Sequence, residues 1–110
     1  MTIALPEVIT SYLAAHSSRD TETALGRFTD DATVTDEGHI HRGPAEIRDW
    51  LQRAGGGYTY TTTLIATERV DDDHYVATHR LEGDFPGNVV DLRYRFTLRE
   101  GRIAALVIEP

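Results

Sequence analysis

The stretch Val89-Val90-Asp91-Leu92-Arg93-Tyr94-Arg95-Phe96-Thr97-Leu98-Arg99, then Glu100-Gly101, then Arg102-Ile103-Ala104-Ala105-Leu106-Val107-Ile108-Glu109 decides how this chain folds. Side chains along a β-strand point alternately to its two faces. Val90, Leu92, Tyr94, Phe96 and Leu98 therefore share one face, and Asp91, Arg93, Arg95 and Arg99 share the other. Glu100-Gly101 is a turn, and residues 103–108 are apolar on both faces. Working back along the chain, residues 75–84 alternate as well, and residues 58–70 are rich in Thr and Tyr. Asp71-Asp72-Asp73 and Pro86-Gly87-Asn88 supply the turns between them. The second half is thus expected to be a meander of four antiparallel strands, twisted and bent, whose concave face needs cover.

The first half supplies helices. Pro6 suits a first helical turn, and Ile9, Tyr12, Leu13 and His16 follow with the spacing of one buried stripe. Asp20 is a natural N-cap for a short second helix with Ala24, Leu25 and Phe28 on its inner face. Ala32, Val34 and Asp36 alternate with Thr33 and Thr35 as a short strand whose apolar face runs into a carboxylate. Gly43-Pro44 opens a third helix with Ile47, Trp50, Leu51 and Ala54 inward, and Gly55-Gly56-Gly57 stops it. The expected fold class is α+β, one domain over residues 1–110, with three helices covering a cone-shaped, curved antiparallel sheet.

Composition narrows the function classes. A chain of 110 residues with 40% apolar and 26% charged content can bury one core. A net charge of -7 without a Lys/Arg cluster repels phosphates, so no nucleic-acid partner is expected. The absence of cysteine removes disulfides, thiolate metal sites and a cysteine nucleophile. No run approaches the roughly 18 apolar residues of a membrane span, and the N-terminus lacks a basic, apolar leader; no membrane partner and a cytoplasmic location are the expectations. His39 and His41 fall on one side of a strand, but no third ligand accompanies them, so neither metal nor cofactor is expected.

Polar residues on faces that should be buried mark candidate chemistry, because burial shifts pKa values and is costly without a partner. Asp36 shares a face with Ala32 and Val34, Tyr12 with Ile9 and Leu13, and His79 with Tyr75, Ala77 and Leu81. Each also has a plain structural reading: a turn residue in Asp36-Glu37-Gly38, a core tyrosine, and a satisfied core histidine. Asp91 falls on the charged face and is expected to pair with Arg93 or Arg95.

The run Phe28-Thr29-Asp30-Asp31-Ala32-Thr33-Val34-Thr35-Asp36, the segment Arg42-Gly43-Pro44-Ala45-Glu46-Ile47 and the hairpin from Tyr94 to Ile103 together resemble the nuclear transport factor 2-like superfamily, which includes ketosteroid isomerases and SnoaL-like polyketide cyclases. The resemblance covers nearly the whole chain and implies the cone-shaped fold. It does not imply one function, since that fold carries isomerases, cyclases, hydrolases and non-catalytic proteins. Against ketosteroid isomerase, Asp36 matches the base, Tyr12 the oxyanion tyrosine and Trp50 a pocket aromatic, whereas Leu92 stands where the second oxyanion acid would be.

The resemblance thus implies a cofactor-independent isomerase or cyclase acting on a small, mainly apolar carbonyl compound. Asp36 would be the base, Tyr12 an oxyanion donor and His79 an auxiliary acid or base, with Trp50, Tyr60, Leu92, Tyr94 and Phe96 lining the pocket. The missing second acid keeps open a non-catalytic binding or regulatory module of the same fold. A structural role also stays open, and a homodimer through the outer face of the sheet, as is common in this superfamily, is compatible with all three.

Overall fold

The computed structural model describes residues 4–53 and 60–110. Helix α1 (Glu7–Ser17) follows Pro6, whose fixed φ and missing N–H cost nothing at a helix start. Asp20 caps α2 (Thr21–Leu25), accepting from the Thr23 N–H at 3.3 Å. α2 is only five residues long, so Phe28, expected on its inner face, instead opens strand β1 (Phe28–Asp36). Its ring still points inward, edge-on to Tyr12 at 5.3 Å.

Glu37 and Gly38 both have positive φ, 51° and 78°, which is the geometry of a two-residue type I′ hairpin turn. The turn pairs Asp36 with His39 at the start of β2 (His39–Arg42) and makes Asp36 the last residue of β1. Gly43, at φ 78°, swings the chain from β2 into α3 (Gly43–Arg53), and Glu46 Oε1 accepts from the Arg42 backbone N–H at 2.9 Å. Ala54, the glycine stop at 55–57 and strand residues 58–59 lie outside the described residues.

The meander follows the sequence reading closely, with β3 (Tyr60–Arg69), β4 (His74–Gly83), β5 (Val89–Arg99) and β6 (Arg102–Glu109). The sheet has six strands in the order β2-β1-β6-β5-β4-β3, so it is not built by the second half alone. β1 lies parallel to β6, with Val34 opposite Leu106 and Asp36 opposite Ile108; every other pair is antiparallel. The expected curved antiparallel meander is thus present, and β1 joins it through a parallel pairing with β6 that the sequence does not announce. The cause lies in β6, which is apolar on both faces and suits the sheet interior better than an edge.

The helices lie against the inner face of this curved sheet. Ile9, Tyr12, Ile47 and Trp50 from the helices close on Val34, Phe96, Ile103 and Leu106 from the strands, all buried. Arg80 and Asp91 stand directly opposite each other on the outer face, and Arg80 Nε donates to Asp91 Oδ1 at 2.9 Å. Asp91 therefore pairs across the strands and not along its own strand with Arg93 or Arg95. Cross-strand neighbours sit about 5 Å apart, closer than the i, i+2 neighbours of one strand.

Candidate functional site

Asp36 reaches the inner face because β1 keeps its alternation through Ala32 and Val34 up to the hairpin turn. Trp50, one turn from the end of α3, faces the same spot, and its Nε1–H donates to Asp36 Oδ2 at 3.0 Å. Among the described residues no donor reaches Asp36 Oδ1. His16, on the last turn of α1, packs on Trp50 with ring centroids 5.7 Å apart and planes tilted by 31°; His41 of β2 packs on the indole at 6.1 Å and 34°.

A cavity of about 630 Å³ opens here, walled by Asp36, Trp50, His16, Tyr60, Leu92 and Tyr94 and extended by Leu81, Phe85, Val90 and Ile108. A second cavity, of about 820 Å³, lies beside it under α1 and shares His16, Tyr60 and Tyr94. His79 lines this second cavity, and its ring meets Tyr94 edge-on at 4.7 Å.

Of the residues expected at the site, Asp36, Trp50, Tyr60, Leu92 and Tyr94 thus come together around one cavity, with His79 on the adjoining one. Tyr12 and Phe96 line neither. Both sit in the core beneath, at 0% and 2% exposure, with their rings 5.9 Å apart. The Tyr12 hydroxyl lies 3.4 Å from His16 Nδ1, long for a hydrogen bond. His16, which the sequence marks only as part of the buried stripe of α1, stands between Tyr12 and both cavities.

The electrostatics follow from burial. Desolvation pushes the Tyr12 hydroxyl well above its ordinary range, and the charges of Tyr94 and Asp36 push it further. Tyr94 is raised for the same first reason, then by Tyr60 and Asp36. Burial lowers His16, Arg19 lowers it further, and Asp36 opposes both. His79 is lowered by burial and then by His16. At neutral pH the Tyr94 hydroxyl and the His16 and His79 imidazoles around the two cavities are therefore neutral and can donate hydrogen bonds to a developing negative charge. Among the described residues no group of three His, Asp or Glu side chains converges to hold a metal ion, and no helix is long and apolar enough to cross a membrane.

Among the described residues, a curved six-stranded sheet with three helices on its concave face, and a largely apolar cavity carrying a few polar groups between them, is the architecture of the nuclear transport factor 2-like class of proteins. Within it the chain belongs to the SnoaL-like domain family, whose model matches residues 9–106. It is similar to a protein from Sinorhizobium meliloti provisionally named a polyketide cyclase, with 36% identity, a TM-score of 0.87 and coverage of 96% of this chain and 95% of that one. The fold also matches that of a ketosteroid isomerase-like protein from Catenulispora acidiphila (20% identity, TM-score 0.81, 97% and 87% covered). The Δ5-3-ketosteroid isomerase of a Mycobacterium species shares it too (20% identity, TM-score 0.74, 94% and 89% covered). No curated protein matches the sequence.

Proposed function

We propose that the protein is a cofactor-independent isomerase or cyclase that removes a proton next to the carbonyl of a small, mainly apolar compound. The observation that carries this reading is Asp36: one carboxylate oxygen is held by Trp50 while the other, among the described residues, has no partner at the wall of a largely apolar cavity. Asp36 is the base. Because Tyr12 lies beneath the wall, its hydroxyl acts through His16: it stays protonated and points its O–H at Nδ1, which fixes the ring's proton on Nε2, and Nε2–H is the donor for the enolate oxygen. His79 is an auxiliary donor from the adjoining cavity. Leu92 supplies apolar wall, which favours the alternative of a binding module without chemistry.

The test is deuterium exchange, followed by proton NMR, over a panel of 1,3-dicarbonyl and β,γ-unsaturated ketones. Wild-type protein should speed exchange at the carbon next to the carbonyl, and Asp36→Asn should lose about 10²–10⁴-fold of that acceleration. Equal rates for the two proteins on every compound would leave the binding module standing. The protein is further proposed to pair with a second copy through the outer face of the sheet.

A further inference from the structure

The cavity under α1 is large enough for a ligand of its own, at about 820 Å³. In a chain of net charge -7 its wall carries, among the described residues, no Asp or Glu, but it carries Arg19, His16 and His79 together with the hydroxyls of Thr10, Ser17 and Thr61. The neighbouring Asp36 cavity has the opposite balance, with Asp36, Glu37 and Glu109 on its wall and no Lys or Arg.

His79 is the most informative of these groups. It is 6% exposed, and among the described residues its Nδ1 is enclosed without any hydrogen-bond partner. Packing against Tyr94 needs a ring there and not a nitrogen; a phenylalanine would meet that contact equally well. A buried N–H without a partner costs more than a lone pair without one, so the proton of the neutral ring sits on Nε2. The neutral form is the one that burial and the neighbouring His16 favour. His79 thus keeps a fixed donor at the wall of a cavity free of acids.

We infer that this cavity is a second ligand compartment, in which the Nε2–H of His79 and the guanidinium of Arg19 hold a carboxylate at the far end of the molecule whose carbonyl end meets Asp36. The carbonyl end rests on the function proposed above; the acid-binding compartment stands on its own wall. The substrate class narrows to an apolar carbonyl compound bearing a remote carboxylate, which would extend past the shared residues His16, Tyr60 and Tyr94.

Two probes separate the ends: 2-naphthol, with a hydroxyl for Asp36 alone, and 6-hydroxy-2-naphthoate, which adds a carboxylate on the opposite side. Calorimetric titration of the full chain should show the naphthoate binding about tenfold tighter, the effect of one good charge-assisted hydrogen bond. His79→Phe, which keeps the ring, should abolish most of that advantage, and Arg19→Gln should narrow it. Equal affinities in the wild type, or an advantage that survives in His79→Phe, would overturn the compartment. Asp36→Asn examines the other end independently: if neither probe weakens, the Asp36 assignment fails, while the ratio between the probes still reports on His79.

Discussion

The Trp50 indole donates its N–H to Asp36 Oδ2 at 3.0 Å, tying the end of β1 to the last turns of α3. Neither residue is placed by chance: the hairpin turn at Glu37-Gly38 ends β1 at Asp36, and Ile47, Trp50 and Leu51 are the buried stripe of α3. The bond orients the carboxylate and leaves Oδ1 toward the cavity. Trp50→Phe keeps an aromatic ring but removes the donor. It should cost about 1–2 kcal/mol in urea unfolding, for a bond to a charged but half-buried acceptor, and should lower the exchange rate more than it weakens ligand binding. An unchanged rate would show that Asp36 does not depend on this bond.

The two buried imidazoles set the acid limb of stability. His79 and His16 both titrate below the ordinary value of 6.5 in the folded protein, chiefly through burial. Below that value the unfolded chain binds more protons than the folded one, so stability should be full above about pH 6.5 and should fall as pH drops through the lower folded values. Urea titrations from pH 7.5 to 5 should show this fall, and His79→Phe should flatten it. Loss of stability on raising the pH over the same range would contradict the assignment.

His79→Phe should also leave the protein at least as stable as wild type at pH 7. The substitution removes an enclosed nitrogen that has no partner among the described residues and keeps the edge-on contact with Tyr94. A clear loss of stability would mean that the nitrogen has a structural role. In that case His79 would be a satisfied core histidine rather than a wall donor.

Much of this arrangement is legible in the sequence because it is local. Alternation in residues 89–99 puts Leu92 and Tyr94 inward, the stripe of α1 buries Tyr12, and alternation from Ala32 carries Asp36 to the inner face. What the sequence hides depends on contacts between distant segments. The parallel pairing of β1 with β6 leaves no turn signal, since such signals mark only hairpins. The Arg80–Asp91 pair depends on the register that the 84–88 turn imposes on β4 and β5. The position of His16 between Tyr12, Trp50 and two cavities arises only when α1 and α3 settle on the same sheet. A helical stripe marks His16 as inward and says nothing about what it meets there.

Asp91 provides a control for the inner site. Its carboxylate is exposed on the outer face and held by Nε and Nη2 of Arg80, which lowers its pKa and raises that of Arg80. Asp91→Asn should leave exchange activity and probe binding at wild-type levels and produce at most a small change in melting temperature that vanishes in about 1 M salt. A loss of activity comparable to that of Asp36→Asn would place a working acid on the wrong face of the sheet and would undo the assignment of inner and outer faces in β5.

The proposed pairing through the sheet can be tested at its centre. Ala105 and Val107 of β6 are half-buried on the outer face, with Thr97 and Arg95 of β5 directly opposite them. A second copy laid across this face would cover the alanine and valine and leave the Arg80–Asp91 pair of β4 and β5 at the rim, the usual division between an apolar interface core and a polar edge. Val107→Arg would set a second cation beside Arg95, its cross-strand neighbour, at the covered centre, so light scattering should give a dimer mass for wild type and a monomer mass for the variant. Its cavities lie on the opposite face, so the variant should keep probe affinity. A wild-type chain that remains monomeric at millimolar concentration would remove the dimer, and with it any need for an apolar centre on this face.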